Sequence, residues 1–470
     1  MALGADDEAR LSAAGEPPPA PRRHLGAGAL ASLVVQVAPI LGVTVVSVVV
    51  ARRLGPDATG TIALVTALLE VLIALFGFGL TAGITYFVSR LEWSPRDAFR
   101  ESQAAGLLLG TIGVAAGLAF FLATRDEFFA GIALISAALG IGHLPFSLSR
   151  GFTGAIALAR ERYEAYALFE LSGTVVMVAT AVPLTFAMGV DGALLGILLA
   201  RVVAFVMAAA WGFRYGRTAP RGPHARPRRL KEAAIFGSKA WGASLLQLIN
   251  YRLDLFLISA FVTRADVGQY SVALSVTALA WVLPAALETV IFPRTADLHA
   301  AQGRGEISRE ESDTATAKAV RHSVVLLMPS AVIVLLLVLV AVPILYGPEF
   351  RKSVWFGLIL IPGVLALSLG KSLSAVITGR GRPQVALWIT AITVPLTIVL
   401  YLVLIPILDG YGAALGSTLS YATSTGLALF WFARTTHIPF RRALVPSREE
   451  LGDYLQAIAG VRARLRRASG

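Results

Sequence analysis

Four residues in one segment share a face and a chemistry. If residues 234–262 form a helix, then at 100° per residue Lys239, Gln247, Asn250 and Asp254 fall within an arc of about 80°. A cation, two amides and a carboxylate along one stripe suit water and a charged ligand better than an apolar neighbour. Arg252 points roughly opposite the centre of that stripe, so it either reaches another helix or marks a place where the helix unwinds. Glu70, Arg201, Glu288 and Lys371 stand in other long apolar stretches, and Gln36 matches Gln247 in an internal repeat described below. Arg252, Lys239, Arg201 and Lys371, with Asn250, Gln247 and Gln36, form a candidate set for lining a cavity and meeting a substrate there. Asp254, Glu288 and Glu70 are candidates for taking up a coupling ion, H+ or Na+. The competing reading for each is a structural ion pair between helices, and His143 reads as a satisfied polar residue rather than a proton relay.

Other chemistry is absent from the sequence. There is no cysteine, hence no thiolate ligand, nucleophile or disulfide. Gly370-Lys371-Ser372 looks like the end of a phosphate loop, but the position that would need the first glycine is Leu365. No cofactor and no nucleotide site is expected, so any transport is secondary. Carboxylates between the apolar segments stand singly, and no acid and base pair for catalysis is visible.

These residues need an unusual solvent. The chain has 470 residues, 56% hydrophobic and 15% charged, with a mean hydropathy of +0.71, which excludes an ordinary soluble enzyme. Residues 323–345 carry no charge at all, enough at 1.5 Å per residue to cross a hydrocarbon core of about 30 Å. Similar windows recur near 24–51, 62–89, 102–123, 129–149, 163–188, 192–213, 234–262, 268–293, 320–345, 353–378, 384–408 and 412–433. The expectation is an all-α polytopic membrane protein of about twelve spans.

A charge at bilayer depth costs roughly 2.5–3.5 kcal/mol on insertion scales, so the ionisable residues above should face a cavity or a partner. The net charge of +12 does not signal nucleic acid. About thirty of the 41 Lys and Arg lie in alternate loops and the two tails, and by the positive-inside rule those segments and both termini are cytoplasmic. From Ser447 the tail reads as an amphipathic helix, capped by Ser447 and Glu450, whose Arg462, Arg464, Arg466 and Arg467 sit against anionic lipid.

Shifting the chain by 211 residues superposes Gln36 on Gln247, Arg53 on Arg264, Val65-Thr66-Ala67-Leu68 on Val276-Thr277-Ala278-Leu279, and Val71-Leu72 on Val282-Leu283. Two six-helix bundles follow, related by a parallel repeat about an axis along the membrane normal. The expected organisation is an N-terminal tail 1–23, a first bundle 24–213, a basic linker 214–233, a second bundle 234–433 and a basic amphipathic tail 434–470. Two such bundles enclose a central cavity that alternating access could open to either side.

Five motifs add a resemblance. Asn250-Tyr251-Arg252-Leu253-Asp254-Leu255-Phe256-Leu257-Ile258, Val267-Gly268-Gln269-Tyr270-Ser271 and Ile291-Phe292-Pro293 are followed by Leu345-Tyr346-Gly347-Pro348-Glu349-Phe350 and Gly379-Arg380-Gly381-Arg382-Pro383. Together they resemble the polysaccharide-transport branch of the multidrug, oligosaccharidyl-lipid and polysaccharide exporter superfamily, the Wzx-type flippases. The resemblance implies a MATE-like fold that moves an undecaprenyl-diphosphate-linked oligosaccharide to the outer leaflet of a bacterial plasma membrane, with Arg252 and Asp254 at the family's Arg and Asp positions. It also implies polysaccharide polymerases or glycosyltransferases as partner enzymes. Gly55-Pro56-Asp57-Ala58-Thr59-Gly60 departs from the Gly-Tyr-Gly turn of many relatives. An ion-coupled multidrug antiporter of the same superfamily is the alternative, and a membrane polymerase or ligase a weaker one, since the external loops are only a few residues long.

Overall fold

Three residues in backbone conformations that no helix holds set the architecture. Helix α1 (Leu25–Gly77) is broken at Gly55, with φ 79° and ψ −174°. Helix α6 (Tyr163–Thr218) is broken at Gly189 and the last helix, which ends at Thr436, at Asp409. A straight helix of the 53 residues of α1 would be about 80 Å long, far beyond the hydrocarbon core, so each break folds the chain into two antiparallel limbs. At Gly55 the missing side chain admits positive φ, and Pro56 supplies a helix-ready φ for the returning limb. One glycine followed by proline thus does the work of the longer turn motif absent here.

Between the hairpins α1, α6 and α11 (Gln384–Thr436) lie α2 (Leu80–Ser89), α3 (Pro95–Ala123), α4 (Leu134–Ile141), α5 (Leu144–Ala159), α7 (Leu230–Phe261), α8 (Arg264–Thr277), α9 (Arg309–Leu336) and α10 (Arg351–Gly379). This computed structural model describes residues 25–219, 229–281, 295–382, 384–436, 438–439, 441 and 444–445, without the side chains of 25–36, 239–240, 243–244, 247 and 249–250. The expected tail 1–23, the linker residues 220–228, Glu288, the 291–293 motif and the tail helix from Ser447 lie outside the described residues.

Among the described residues six helices are long and apolar enough to cross a membrane. Three of them are the hairpins, each crossing twice, and α3, α9 and α10 cross once. The α4–α5 pair, α7 and α8 complete about twelve passes. Helix α7 has the length, 32 residues, but carries Lys231, Glu232, Lys239, Arg252 and Asp254, the cluster that made it the first candidate for function. The chain is a multi-pass all-α membrane protein.

In the first bundle α6 packs on α1, α4 and α5, while α3 packs on α5. In the second, α10 pairs with α11 and is flanked by α8 and α9, and α7 lies along α11. The bundles meet where the second limb of α1, with its continuation α2, runs against α7 and α8. Two backbone approaches close this seam. Near the Gly55 turn, a Cβ on Gly60 would strike the Arg264 carbonyl and one on Gly268 the Pro56 carbonyl; toward the opposite end, Gly79 and Gly237 stand in the same relation. Gly268→Val is therefore expected to destabilise the protein by about 2 kcal/mol through overpacking, read as a lower thermal midpoint in detergent. Gly303→Ala, with open space around its Cα, should leave that midpoint in place.

Candidate substrate and ion sites

Helix α7 is continuous from Leu230 to Phe261, so Arg252 does not mark an unwound segment. It reaches another helix instead. Its Nε donates to Glu70 Oε2 on the second limb of α1, tying one bundle to the other. Both side chains keep about a third of their surface exposed (31% and 32%), so the pair borders an opening rather than a packed core. Two sequence candidates, one assigned to a ligand anion and one to a coupling ion, thus sit on each other.

On the far side of Tyr251, Lys371 of α10 places its Nζ 4.2 Å from the Trp281 ring centroid and 5.5 Å from that of Tyr251. The two rings lie 5.9 Å apart, and Tyr421 of α11 meets Tyr251 edge-on at 6.4 Å. Both π faces attract the ammonium. Trp281 Nε1 is buried and has no hydrogen-bond acceptor, a vacant donor beside the cation.

Asp254 occupies different ground. Its residue is 1% exposed, so the expectation that its stripe lines open water fails at this end. The reason is packing: α7 turns this face into the second bundle, against α8 and α11. Tyr270 of α8 donates its hydroxyl to Asp254 Oδ2 at 3.0 Å, and the Leu255 amide donates to Oδ1 at 2.7 Å. Ser417 Oγ lies 2.9 Å from the Tyr270 hydroxyl and 2.8 Å from the Tyr401 hydroxyl; Thr397 and Ser420 hydroxyls meet 2.5 Å apart on the same two limbs of α11. Among the described residues no salt bridge reaches Asp254. Among the described residues this carboxylate is ringed by hydroxyl oxygens, and its nearest charge, Arg252, acts on it only through space. Tyr270, Tyr401 and Ser417 were not singled out from the sequence; Tyr270 stands in one of the resembling motifs, but nothing in its spacing assigns it to Asp254.

Arg201 does not join Arg252. It lies inside the first bundle, in a separate cavity with Arg150 and Glu170, because the second limb of α6 is wrapped by α1, α4 and α5. His143 is 2% exposed and shares a hydrogen bond with Ser147 at 3.0 Å, as a satisfied polar residue does. Lys239, Gln247 and Asn250 belong to the backbone of α7, but their side chains and that of Gln36 lie outside the described residues. The matched arginines of the repeat have diverged: Arg264 pairs with Asp57 at 3.2 Å and donates to the Gly131 carbonyl at 2.7 Å, whereas Arg53 lies over the Phe186 ring.

Residues 49–355 match the model of the family described as polysaccharide biosynthesis protein. The chain belongs to this family. A curated relative, the probable low-salt glycan biosynthesis flippase Agl15 of Haloferax volcanii, is 25% identical over 410 residues, 78% of this chain and 83% of its own length. The fold is shared with the lipid II flippase MurJ in an inward closed conformation, with a TM-score of 0.67 at 11% identity, covering 87% of this chain and 90% of that one. It is also shared with an inward-facing multidrug-resistance MATE transporter, with a TM-score of 0.60 at 18% identity, covering 86% and 98%.

In this polysaccharide-biosynthesis family protein the two candidate sites sit differently with respect to the bundle seam. Arg252–Glu70 straddles it, and below that pair α7 is zipped to α1 and α2 by Trp241 Nε1 donating to the Ala74 carbonyl at 2.6 Å, Tyr86 stacked on Phe236 at 4.3 Å, and Arg229 bound to Glu92 at 2.9 Å. Near the Gly55 turn, Arg52 donates to the Leu345 carbonyl at 2.8 Å and Lys352 pairs with Asp266 at 2.7 Å. Asp254, in contrast, lies wholly within the second bundle.

Proposed function

We propose that this protein is a secondary transporter that flips a polyprenyl-diphosphate-linked oligosaccharide, of the undecaprenyl type, from the cytoplasmic to the outer leaflet of a plasma membrane by alternating access, for polysaccharide biosynthesis. The observation that carries the reading is the Arg252–Glu70 pair, partly exposed at the seam of the two bundles, with the Lys371 ammonium against the rings of Tyr251 and Trp281. A diphosphate needs cations in a wet cavity. Its approach to Arg252 displaces Glu70, because a two-pronged contact with the diphosphate competes for the Nε edge that Glu70 occupies. That exchange releases a tie between the bundles, so substrate binding and rearrangement become one event. The membership in a polysaccharide-biosynthesis family and the similarity to a glycan flippase support this substrate class.

In this reading the excess of Lys and Arg in alternate loops places both termini in the cytoplasm. Outward movement of an anion across an inside-negative membrane is then favoured by about 2.3 kcal/mol per charge per 100 mV. Asp254 serves the return of the empty carrier: a buried carboxylate with no salt bridge among the described residues, near the hydroxyls of Tyr270, Ser417 and Tyr401, takes up H+ or Na+. Multidrug antiport has the shared fold in its favour, but cationic drugs call for an acidic cavity, and the seam presents Arg252 and Lys371.

The deciding measurement is translocation of a fluorescent polyprenyl-diphosphate oligosaccharide in proteoliposomes, with an imposed potential and no nucleotide. Potential-dependent flipping is expected. Movement of a small cationic dye in exchange for H+ or Na+, with the lipid immobile, would overturn the proposal.

A further inference from the structure

The cavity inside the first bundle has more cations than anions. It is lined by Pro39 and Val43 from the first limb of α1, Arg150 of α5, and Glu170, Thr174 and Arg201 of α6, among others, with a volume of about 30 Å³. Its ionisable lining groups are two guanidiniums and one carboxylate. Arg150 Nη1 holds Glu170, while Arg150 Nε is buried with no acceptor. Arg201 makes no hydrogen bond or ion pair among the described residues, although the Glu170 carboxylate attracts it through space. The lining therefore has one uncompensated positive charge and surplus donors.

An arginine at this depth, twelve residues or about 18 Å along the helix from the Gly189 turn, is normally neutralised by a partner. The space beside it takes one or two water-sized occupants, too little for a lipid diphosphate. We propose that Arg201 and Arg150 form a binding site for a small monovalent anion of the chloride type, distinct from the seam at Arg252. The anion supplies the second counter-charge, since the single Glu170 carboxylate is bound directly to Arg150 and reaches Arg201 only through space. Glu170 and the anion compete for the same guanidiniums, so their affinities oppose each other.

The test uses the full chain in lipid nanodiscs and follows thermal unfolding in sodium chloride or sodium gluconate at equal ionic strength. Chloride is expected to raise the midpoint saturably, and Arg201→Gln to abolish that dependence. Glu170→Gln, which removes the competitor, is expected to tighten chloride binding several-fold. Equal midpoints in the two salts, or full chloride dependence in Arg201→Gln, would overturn the site. Should Arg201→Gln fail to fold, Glu170→Gln decides, since unchanged chloride affinity there contradicts the competition. In crystals grown with bromide, an anomalous peak within hydrogen-bond reach of Arg201 supports the site and a peak confined to other positions rejects it.

Discussion

Arg252→Gln is expected to lower transport of a diphosphate-linked lipid about a hundredfold in proteoliposomes while the protein stays folded. Two charge-assisted hydrogen bonds to phosphate, each worth about 1.5 kcal/mol, sum to about 3 kcal/mol, and 1.4 kcal/mol is a factor of ten. Arg252→Lys should recover part of the rate, because a single ammonium keeps the charge but loses the planar fork. Glu70 separates the ligand role from a purely structural one. If Glu70 competes with the diphosphate for Arg252, Glu70→Gln binds the lipid several-fold more tightly yet turns over more slowly, since the empty state loses its tie across the seam. If the pair only holds helices together, Glu70→Gln and Arg252→Gln lower the thermal midpoint alike, the double variant restores it, and substrate affinity does not respond. Transport at the native rate by Arg252→Gln removes the diphosphate clamp altogether.

The second large effect concerns Asp254. Asp254→Asn keeps the shape and can still accept from Tyr270, but it cannot hold a charge. The expected outcome is complete loss of the dependence of flipping on H+ or Na+, with no loss of stability, because a buried carboxylate lacking a salt bridge is costly to begin with. Tyr270→Phe should weaken the apparent affinity for the coupling ion several-fold by removing the hydroxyl that lies 3.0 Å from Asp254 Oδ2. The readout is the flipping rate against sodium concentration at two pH values. A variant with Asn at this position that responds to either ion as the native protein does would move the coupling group elsewhere, with Glu70 next in line.

The membrane class, the pass count and the duplicated architecture are legible in the sequence because they rest on local averages: uncharged runs of span length, a repeat offset of 211 residues and short connections. Depth alone marks Arg252, Glu70, Asp254, Arg201 and Lys371 as needing partners, since a charge in hydrocarbon has to be compensated. Which partner each finds is set by residues far away in the chain. Glu70 and Arg252 are 182 positions apart, and Tyr270 meets Ser417 across 147. A helical wheel orders side chains around one axis but carries no information on what each face meets. It therefore grouped Asp254 with a water-facing stripe, although α8 and α11 cover it, and it left Arg201 with Arg252, although α6 carries it into the other bundle. The sequence by itself determined which residues must be neutralised and that a bilayer is the solvent; tertiary packing alone decided that Arg252 answers to Glu70, Asp254 to hydroxyls and Arg201 to the Arg150–Glu170 pair, because only the closing of helices on one another fixes distance between charges.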